Sequence, residues 1–149
     1  MGISRYFDES LITFFEVDNQ KEALQNLVDL LDTSGKLQDK EAFFQAILKR
    51  EEIVSTGIGI GVAIPHAKLK GYEDFFIAIG IQKAEGIDWQ ALDGLPVRIV
   101  FMIGGPDNFQ TEYLNILSMI TTAIKDEERR KNLVKANTPS EVIAIFGDL

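Results

Sequence analysis

The only histidine of the 149-residue sequence, His66, directly follows Pro65 and comes shortly after a glycine-rich segment, residues 57–61. Taken alone, a single histidine is most often a partly buried residue without a chemical role. Its surroundings argue otherwise, because proline restricts the backbone before it and glycine N–H groups nearby can approach an anion. Imidazole is largely neutral near pH 7 and can attack phosphorus as a nucleophile. We therefore predict that His66 is chemically active.

The sequence lacks the partner residues that metal, thiol and nucleotide sites require. It contains no cysteine, which excludes disulfides, thiol catalysis and cysteine-based zinc sites, and one histidine cannot supply the usual zinc ligands. The glycine-rich segment lacks the lysine of a Walker loop. Pro65 would interrupt a helix beginning at these glycines, so a dinucleotide-binding fingerprint also fails. We predict no metal and no cofactor.

The overall composition is that of an ordinary globular domain, with 46% hydrophobic and 26% charged residues. A net charge of −8 argues against nucleic-acid binding, which needs clustered lysine and arginine. The one basic cluster, residues 129–131, follows three acidic residues, an order that fits a helix dipole. No apolar run reaches the length of a membrane span, and no signal peptide is visible. We expect one cytoplasmic domain over residues 1–149, without membrane insertion.

Two helices are predicted ahead of the histidine, after a short strand over residues 11–15. Asn19 and Glu22 have the spacing of a helix N-cap and its reciprocal acid. A second helix begins near Asp39 and ends around Arg50. Its predicted buried residues are Ala42, Phe43, Ala46 and Ile47. This arrangement puts Arg50 where a helix meets the following loop.

Strands are predicted in the middle of the chain. Residues 62–64 form a short strand that ends at His66, and apolar runs predict longer strands over residues 75–81 and 97–103. The glycines and proline of residues 104–106 would close the last of these strands. The histidine is thus expected at the end of a strand.

Trp89 lies in a turn-rich stretch, residues 84–94, between the two long strands. Together with Glu85 and Asp88 it invites a carbohydrate-site interpretation, because tryptophan stacks on sugars and carboxylates act in pairs. A tryptophan in such a stretch more often anchors the loop to the core. We favour the anchoring role.

The last third of the sequence is predicted to be helical. Asp107 and Gln110 have the spacing of a capping pair at the start of a helix. The residues expected to share one face of this helix are Leu114, Leu117, Ile120, Thr121 and Ile124. A short helix follows over residues 127–135, and a proline-containing capping box at residues 138–141 begins the last one. This mixture predicts an α/β fold in which a single mixed sheet is flanked by helices.

The run from Arg50 to Ala67 resembles a known active-site signature. It contains Arg-Glu, then Ser-Thr-Gly-Ile-Gly, then Ala-Ile-Pro-His, in that order. This pattern is similar to that of enzyme IIA of the fructose/mannitol/nitrogen-regulatory type, the EIIA type-2 domain of the bacterial phosphoenolpyruvate-dependent sugar phosphotransferase system (PTS). The similarity continues through residues 97–103 and the following helix. It implies the mannitol-type IIA fold and a phosphotransferase with a phosphohistidine intermediate.

The resemblance also implies partners and roles. The histidine matching His66 accepts a phosphoryl group on its Nε2 atom from the phosphohistidine of the carrier HPr, and then passes it to a cysteine of a IIB component during sugar uptake. The matching arginine, Arg50, steadies the phosphoryl group. Because this sequence has no cysteine, the IIB partner would be a separate protein. The predicted docking residues near His66 are Ile58, Ile60 and Leu69.

Four further residues are predicted to support the phosphoryl group. Ser55, Thr56 and Gly57 offer hydroxyl and amide donors beside the histidine. Tyr113 replaces the second histidine that family members usually carry, and tyrosine donates a hydrogen bond but adds no positive charge below its pKa of about 10. This replacement favours, as an alternative, a nitrogen-type regulatory IIA protein whose phosphorylation state switches binding to a target protein.

Overall fold

The computed structural model describes residues 2–147, which form a six-stranded mixed sheet and five α-helices. The strands are β1 (Ile12–Phe15), β2 (Gly57–Gly59), β3 (Val62–Ala63), β4 (His66–Lys68), β5 (Phe76–Gln82) and β6 (Ile99–Gly105). The helices are α1 (Gln20–Thr33), α2 (Lys40–Ile53), α3 (Gln110–Ile124), α4 (Glu127–Lys135) and α5 (Pro139–Phe146). The predicted α/β fold with a single mixed sheet is therefore confirmed. Within residues 2–147, none of the helices combines the length and apolar character needed to cross a bilayer.

The sheet is built around the antiparallel pair β5 and β6, with the strand order β1-β5-β6-β3-β2 and with β4 also paired to β6. β1 runs parallel to β5, and both β3 and β4 run parallel to β6. Every residue of β5 and β6 is buried because helices cover both faces of the sheet. Burial on both faces explains why these strands read as continuous apolar runs in the sequence.

The two faces of the sheet carry two separate apolar clusters. Phe101 and Ile103 of β6 pack with α3, α4 and α5, whereas the alternating residues Val100 and Met102 pack with α1 and α2. This separation follows from the strand geometry, since successive side chains point to opposite faces. The helix pair α1 and α2 therefore shares its layer with the loop that carries Trp89.

β3 and β4 form one line of strand that is interrupted at Pro65. Val62 lies opposite Ile99 and His66 lies opposite Ile103, so both segments keep the same register against β6. Proline has no N–H to donate, but its carbonyl still accepts a hydrogen bond of 2.9 Å from the Ile103 N–H. His66 thus begins β4, whereas the sequence analysis put it at the end of a strand.

Gly104 and Gly105 were expected to close the last strand, but they belong to β6. A Cβ atom on Gly104 would lie 2.4 Å from Cε1 of Phe76, and one on Gly105 would lie 2.3 Å from Cδ1 of Phe75. These glycines therefore leave room for aromatic rings to pack against the sheet, and the backbone continues as a strand.

The predicted starts of α1 and α2 are confirmed. The Asn19 side chain accepts a hydrogen bond of 2.9 Å from the Glu22 N–H, and Asp39 caps α2 in the same way. α2 extends beyond the predicted end, which places Arg50 in its last turn. The prediction that Ala42 is buried is wrong, since Ala42 is exposed and Phe44 is buried. Burying a phenylalanine removes more apolar surface from water than burying an alanine.

Two predictions about α3 are wrong. Phe109 occupies the N-cap position without a side-chain hydrogen bond, so Asp107 and Gln110 do not form the expected cap. Leu114 is 51% exposed. The buried face consists of Tyr113, Ile116, Ile120, Ala123 and Ile124. The helix is rotated because Tyr113 packs its ring against the sheet beside Phe75 and His66.

The basic cluster at residues 129–131 serves the packing of helices. Arg129 donates a hydrogen bond to the carbonyl oxygen of Ala123, and Arg130 donates one to that of Ile124, at 2.8 and 2.6 Å. Both acceptors lie in the last turn of α3, where carbonyl groups have no partner within the helix. These contacts support the structural interpretation of the cluster.

Candidate active site

The last turn of α2 and the first residue of β4 bring Arg50 and His66 together. Nε of Arg50 donates a hydrogen bond to Nε2 of His66 over 3.2 Å. The guanidinium group is held from a second side, because Nη1 donates to the carbonyl oxygen of Val54 over 2.8 Å. Val54 is the C-cap residue of α2, and a cation at this position satisfies a free carbonyl group. The end of the helix thus orients the arginine towards the histidine.

The hydrogen bonds of His66 define its tautomer. Arginine has only donors, so Nε2 of His66 must carry the lone pair. The proton then lies on Nδ1, which donates to the carbonyl oxygen of Ile64 over 3.1 Å. His66 in this state is a neutral imidazole with Nε2 as its basic nitrogen.

The surroundings of His66 favour the neutral form. Burial lowers the pKa of His66 from its ordinary value of 6.5. The hydrogen bond to Ile64 raises this pKa, whereas the positive charges of Arg50 and Lys68 lower it further. A lowered pKa keeps the lone pair on Nε2 available near neutral pH.

Glu51 organises the loop that follows α2. Its carboxylate accepts hydrogen bonds from the N–H and the hydroxyl of Thr56 and, over 3.2 Å, from Nε1 of Trp89. Nε1 of Trp89 also lies 3.1 Å from the Thr56 hydroxyl oxygen. Thr56 is buried, so its hydroxyl group points into the protein. The next residue after Arg50 therefore holds the segment that leads to β2.

Ser55 and Gly57 are also bonded within this loop. The Ser55 hydroxyl donates to the carbonyl oxygen of Trp89 over 2.6 Å and accepts from the Gly57 N–H over 3.0 Å. The hydroxyl groups of Ser55 and Thr56 and the N–H groups of Thr56 and Gly57 thus have partners other than the imidazole. Trp89 is 1% exposed, which confirms that it anchors its loop to the core.

Tyr113 lies beside His66 as the sequence analysis expected, but it is buried. Its ring centroid is 5.4 Å from that of His66 and 6.2 Å from that of Phe75. Burial raises the pKa of Tyr113 to about 12, and the charge of Arg50 opposes this rise. Tyr113 therefore stays neutral and forms one wall of the site.

Lys68 is a neighbour of the site that the sequence analysis missed. Its Nζ atom lies 4.0 Å from the centroid of the Tyr113 ring and donates a hydrogen bond of 2.8 Å to the side-chain oxygen of Gln110. The sequence feature that could have identified Lys68 is its position two residues after His66, because alternate residues of a strand share a face. The site therefore has two cations, Arg50 and Lys68.

The predicted docking residues differ in their exposure. Ile58 and Ile60 are exposed by 37% and 42%, whereas Leu69 packs partly against the core. Val54, whose carbonyl oxygen accepts a hydrogen bond from Arg50, and Phe109, which precedes Gln110, are also exposed. Among residues 2–147, no three histidine, cysteine, aspartate or glutamate side chains converge on a position that could hold a metal ion.

Fold and site together define a small α/β protein with one neutral imidazole close to two cations. A family model described as "Phosphoenolpyruvate-dependent sugar phosphotransferase system, EIIA 2" matches residues 5–148. The chain belongs to this family, and the predicted recognition is confirmed. Its class is thus that of the IIA components of a phosphotransferase system.

Two curated relatives illustrate the range of the family. The chain is 40% identical over 131 residues to the PTS system fructose-specific EIIABC component of Bacillus subtilis (strain 168), a match that covers 88% of this chain and 20% of that protein. It is 34% identical over 140 residues to the PTS system fructose-specific EIIA component of Haloferax volcanii, with 93% and 90% covered. The chain therefore spans about a fifth of the first relative and most of the second.

Two solved structures have the same fold. The nitrogen regulatory protein IIA-Ntr from Neisseria meningitidis matches with a TM-score of 0.88 at 30% identity, covering 97% of this chain and 98% of that one. Enzyme IIAMTL from Escherichia coli, solved in complex with phosphorylated enzyme IIBMTL, matches with a TM-score of 0.79 at 19% identity, covering 96% and 98%. The predicted mannitol-type IIA fold is confirmed.

Proposed function

We propose that His66 carries a phosphoryl group between two proteins. Nε2 of His66 accepts the group from the phosphohistidine of HPr, and a cysteine of a separate IIB component then takes it in the course of sugar uptake. The observation that carries this proposal is the hydrogen bond from Arg50 to Nε2, which marks the nitrogen with the lone pair and puts a fixed positive charge beside it. Phosphoryl transfer depends mainly on such positioning and charge compensation.

The proposed reaction consists of two displacements at phosphorus. In the first, the Nε2 lone pair forms a bond to phosphorus while the phosphorus–nitrogen bond of the donor histidine breaks and its electron pair returns to that imidazole. In the second, the thiolate of the IIB cysteine attacks phosphorus, and Nε2 of His66 leaves with its electron pair. Nδ1 keeps its proton throughout and donates it in a hydrogen bond to the Ile64 carbonyl oxygen, so the ring needs no change of tautomer.

Arg50 has a different partner in each state of this cycle. In the unphosphorylated protein its Nε binds Nε2 of His66. Once phosphorus occupies Nε2, the same guanidinium group binds phosphoryl oxygens, which suit its planar array of donors. The bond to Val54 keeps the group close during this change.

Ser55, Thr56 and Gly57 support the site indirectly, through the loop that follows α2. Their hydroxyl and amide groups bind Glu51, Trp89 and each other, so we assign them the role of shaping the loop that holds the end of α2. Tyr113 contributes a neutral wall beside the imidazole. Arg50 and His66 are the residues that contact the phosphoryl group in this proposal.

The identity of the acceptor is supported by the relatives. The Bacillus subtilis relative is named as an EIIABC component, and the Escherichia coli IIA structure was solved with phosphorylated IIB. This 149-residue sequence has no cysteine, so the accepting thiol must belong to a sequence outside it. Because phosphoenolpyruvate is made inside the cell, the proposal implies a cytoplasmic reaction.

Regulation is the second candidate function. The IIA-Ntr structure from Neisseria meningitidis is named a nitrogen regulatory protein and is 30% identical to this chain. In this alternative, phosphorylation of His66 switches the affinity for a target protein and no IIB cysteine is involved. The presence of Tyr113 where the family usually has a second histidine favours a slower transfer, which suits a switch better than a sugar carrier.

Radiolabelled phosphoenolpyruvate tests the proposal when it is added with enzyme I and HPr. We expect an acid-labile label on the wild-type protein and none on His66→Ala. The absence of label on wild-type protein would contradict both candidate functions. Addition of a IIB protein then separates them, because a carrier loses its label to the IIB cysteine and a regulatory switch retains it.

A further inference from the structure

Lys68 shares one face of β4 with His66. Ala67 between them is buried, whereas the side chains of His66 and Lys68 are both half-buried. Because alternate residues of a strand point to the same side, the ammonium group extends from the surface that presents the imidazole. We propose that Lys68 binds the phosphoryl group on His66 as a second cation, and that Tyr113 is the positioning residue that holds the lysine there. This inference rests on the proposed function of His66.

The ammonium group of Lys68 is held from two sides. The side-chain oxygen of Gln110 accepts a hydrogen bond from Nζ over 2.8 Å, and the face of the Tyr113 ring lies 4.0 Å from the same atom. A cation over an aromatic face is attracted by the ring quadrupole. Two contacts of this kind restrict a long side chain that otherwise loses much conformational entropy when it binds a ligand.

The charge of Lys68 remains available to an anion. Its hydrogen-bond partner Gln110 is neutral, and so is the Tyr113 ring, whose pKa of about 12 keeps the hydroxyl protonated. A salt bridge to a carboxylate would have compensated the charge, whereas these contacts orient it. The influence of Lys68 already reaches the imidazole, since it contributes to lowering the pKa of His66.

Two cations match the charge that the site must accept. A phosphoryl group carries a charge of roughly −1.5 to −2 near pH 7. Arg50 extends to His66 from the end of α2, whereas Lys68 extends from β4 and is held by two residues of α3. Arg50 alone would leave part of this charge uncompensated. Tyr113 adds no positive charge where family members usually carry a second histidine. In this proposal Lys68, which packs on the Tyr113 ring, provides that positive charge.

Chemical phosphorylation of His66, with no partner protein, tests this inference. Phosphoramidate transfers its phosphoryl group to Nε2 as its phosphorus–nitrogen bond breaks and ammonia leaves. The pKa of the attached phosphoryl group is then measured by phosphorus NMR. We expect Lys68→Met to raise this pKa by about one unit, because a nearby positive charge favours the more charged form. Lys68→Arg should restore the wild-type value, and Lys70→Met, a change of an exposed lysine two residues further on, should not alter it.

Variants of Tyr113 test the positioning role. Tyr113→Phe keeps the aromatic face and should leave the phosphoryl pKa unchanged, whereas Tyr113→Leu removes the face and should shift this pKa in the direction of Lys68→Met. A thermal melt shows which variants are folded. If Tyr113→Leu is unstable, Tyr113→Phe still tests the role of the ring, because it retains the buried aromatic face. A shift in Tyr113→Phe as large as that in Lys68→Met would overturn the role of the ring.

Kinetics with phosphorylated HPr give a second readout. Lys68→Met should lower kcat about tenfold with little change in KM, as expected for a group that binds the transferred charge. A rise in KM alone would overturn the inference, because it would make Lys68 a contact for the partner protein. Equal phosphoryl pKa values in wild type and Lys68→Met would also overturn it. If phosphoramidate labels His66 but phosphorylated HPr does not, the proposed carrier function fails while the role of Lys68 stands. If phosphoramidate does not label His66 either, both proposals fail.

Discussion

At the scale of single residues, the chemistry depends on which nitrogen of His66 is free. Nδ1 of His66 donates a hydrogen bond to the Ile64 carbonyl oxygen, and Arg50 donates one to Nε2. These two contacts select one tautomer and keep the reactive nitrogen unprotonated. Arg50, which binds Nε2, would also lie within reach of a phosphoryl group attached to that nitrogen.

The pH dependence of phosphorylation follows from the pKa of His66. Burial, together with the charges of Arg50 and Lys68, lowers this pKa below 6.5 despite the bond to Ile64. The neutral nucleophile therefore persists below pH 6.5, and we expect the labelling rate to stay constant from about pH 8 to pH 6.5 and to fall only at lower pH. NMR titration of the only histidine measures the same pKa directly, and a value at or above 6.5 would contradict this prediction.

The folded state should respond to pH through the same group. Between the lowered native pKa of His66 and the ordinary value of 6.5, the unfolded chain binds more protons than the native one. This contribution to the free energy of unfolding is present above pH 6.5 and is lost as the pH falls through that range. Comparison of wild type with His66→Gln in urea titrations isolates it from the carboxylates that titrate lower.

Removal of the Arg50 side chain should separate activity from stability. Arg50→Ala should slow labelling by about a hundredfold, the effect of losing one donor to a developing negative charge, while Tm changes little because the side chain is only half-buried. Arg50→Lys should be intermediate, since lysine keeps the charge but lacks the planar pair of donors. Lys49→Ala is the matched control on the same helix. A parallel loss of Tm and labelling would contradict the role of Arg50 in the reaction.

At the scale of elements, the end of α2 is held in place by a carboxylate. Glu51 accepts hydrogen bonds from Thr56 and from Trp89, and both of these residues are buried. The adjacent residue Arg50 faces His66 from the same helical turn. The position of the arginine therefore depends on a network that lies one residue further along the chain.

Glu51→Ala should loosen this end of the helix. It leaves the N–H and hydroxyl of Thr56 without their acceptor and removes one of the two acceptors of Nε1 of Trp89, which costs about 2–3 kcal/mol of the free energy of unfolding. Urea titration followed by the fluorescence of Trp89, the only tryptophan, measures the loss. Glu52→Ala, which changes an exposed residue, should stay within about 0.5 kcal/mol of wild type. Equal stabilities of the two variants would show that the Glu51 network does not hold the loop.

At the scale of the whole molecule, exposed apolar residues lie beside the site. Val54 and Phe109 are 52% and 51% exposed. The carbonyl oxygen of Val54 binds Arg50, and Phe109 precedes Gln110, which binds Lys68. Leu95 is equally exposed but lies beside Ile99, at the end of β6 away from His66. Exposed apolar residues around a reactive group are typical of a surface that meets other proteins.

We expect Val54→Ser and Phe109→Ser to raise the KM for phosphorylated HPr several-fold without lowering kcat. Each substitution removes apolar area from the proposed contact and leaves the reacting atoms in place. Leu95→Ser should not change KM. If the Leu95 variant raises KM as much as the other two, docking does not occur beside His66.

Local signals in the sequence were sufficient for most elements. The caps at Asn19 and Asp39 and the apolar runs of β5 and β6 predicted helices and strands close to those in the structure, because caps and apolar periodicity act over a few residues. The signals failed where burial by distant residues decided the outcome. Ala42 was expected to be buried and is exposed, and Gly105 was expected to follow the end of a strand and belongs to that strand.

The sequence by itself determined that His66 and Arg50 were the residues to consider, since the chain has one histidine and an ordered motif around it. Only the tertiary structure decided how they meet and what stands beside them. α2, β4 and α3 are separated along the chain, and their packing brings Arg50, Lys68 and Tyr113 to one imidazole. Such contacts depend on the register of strands and the rotation of helices, which are set by burial across the whole sheet. For that reason the contacts of Lys68 with Tyr113 and Gln110 could not be seen before the fold was known.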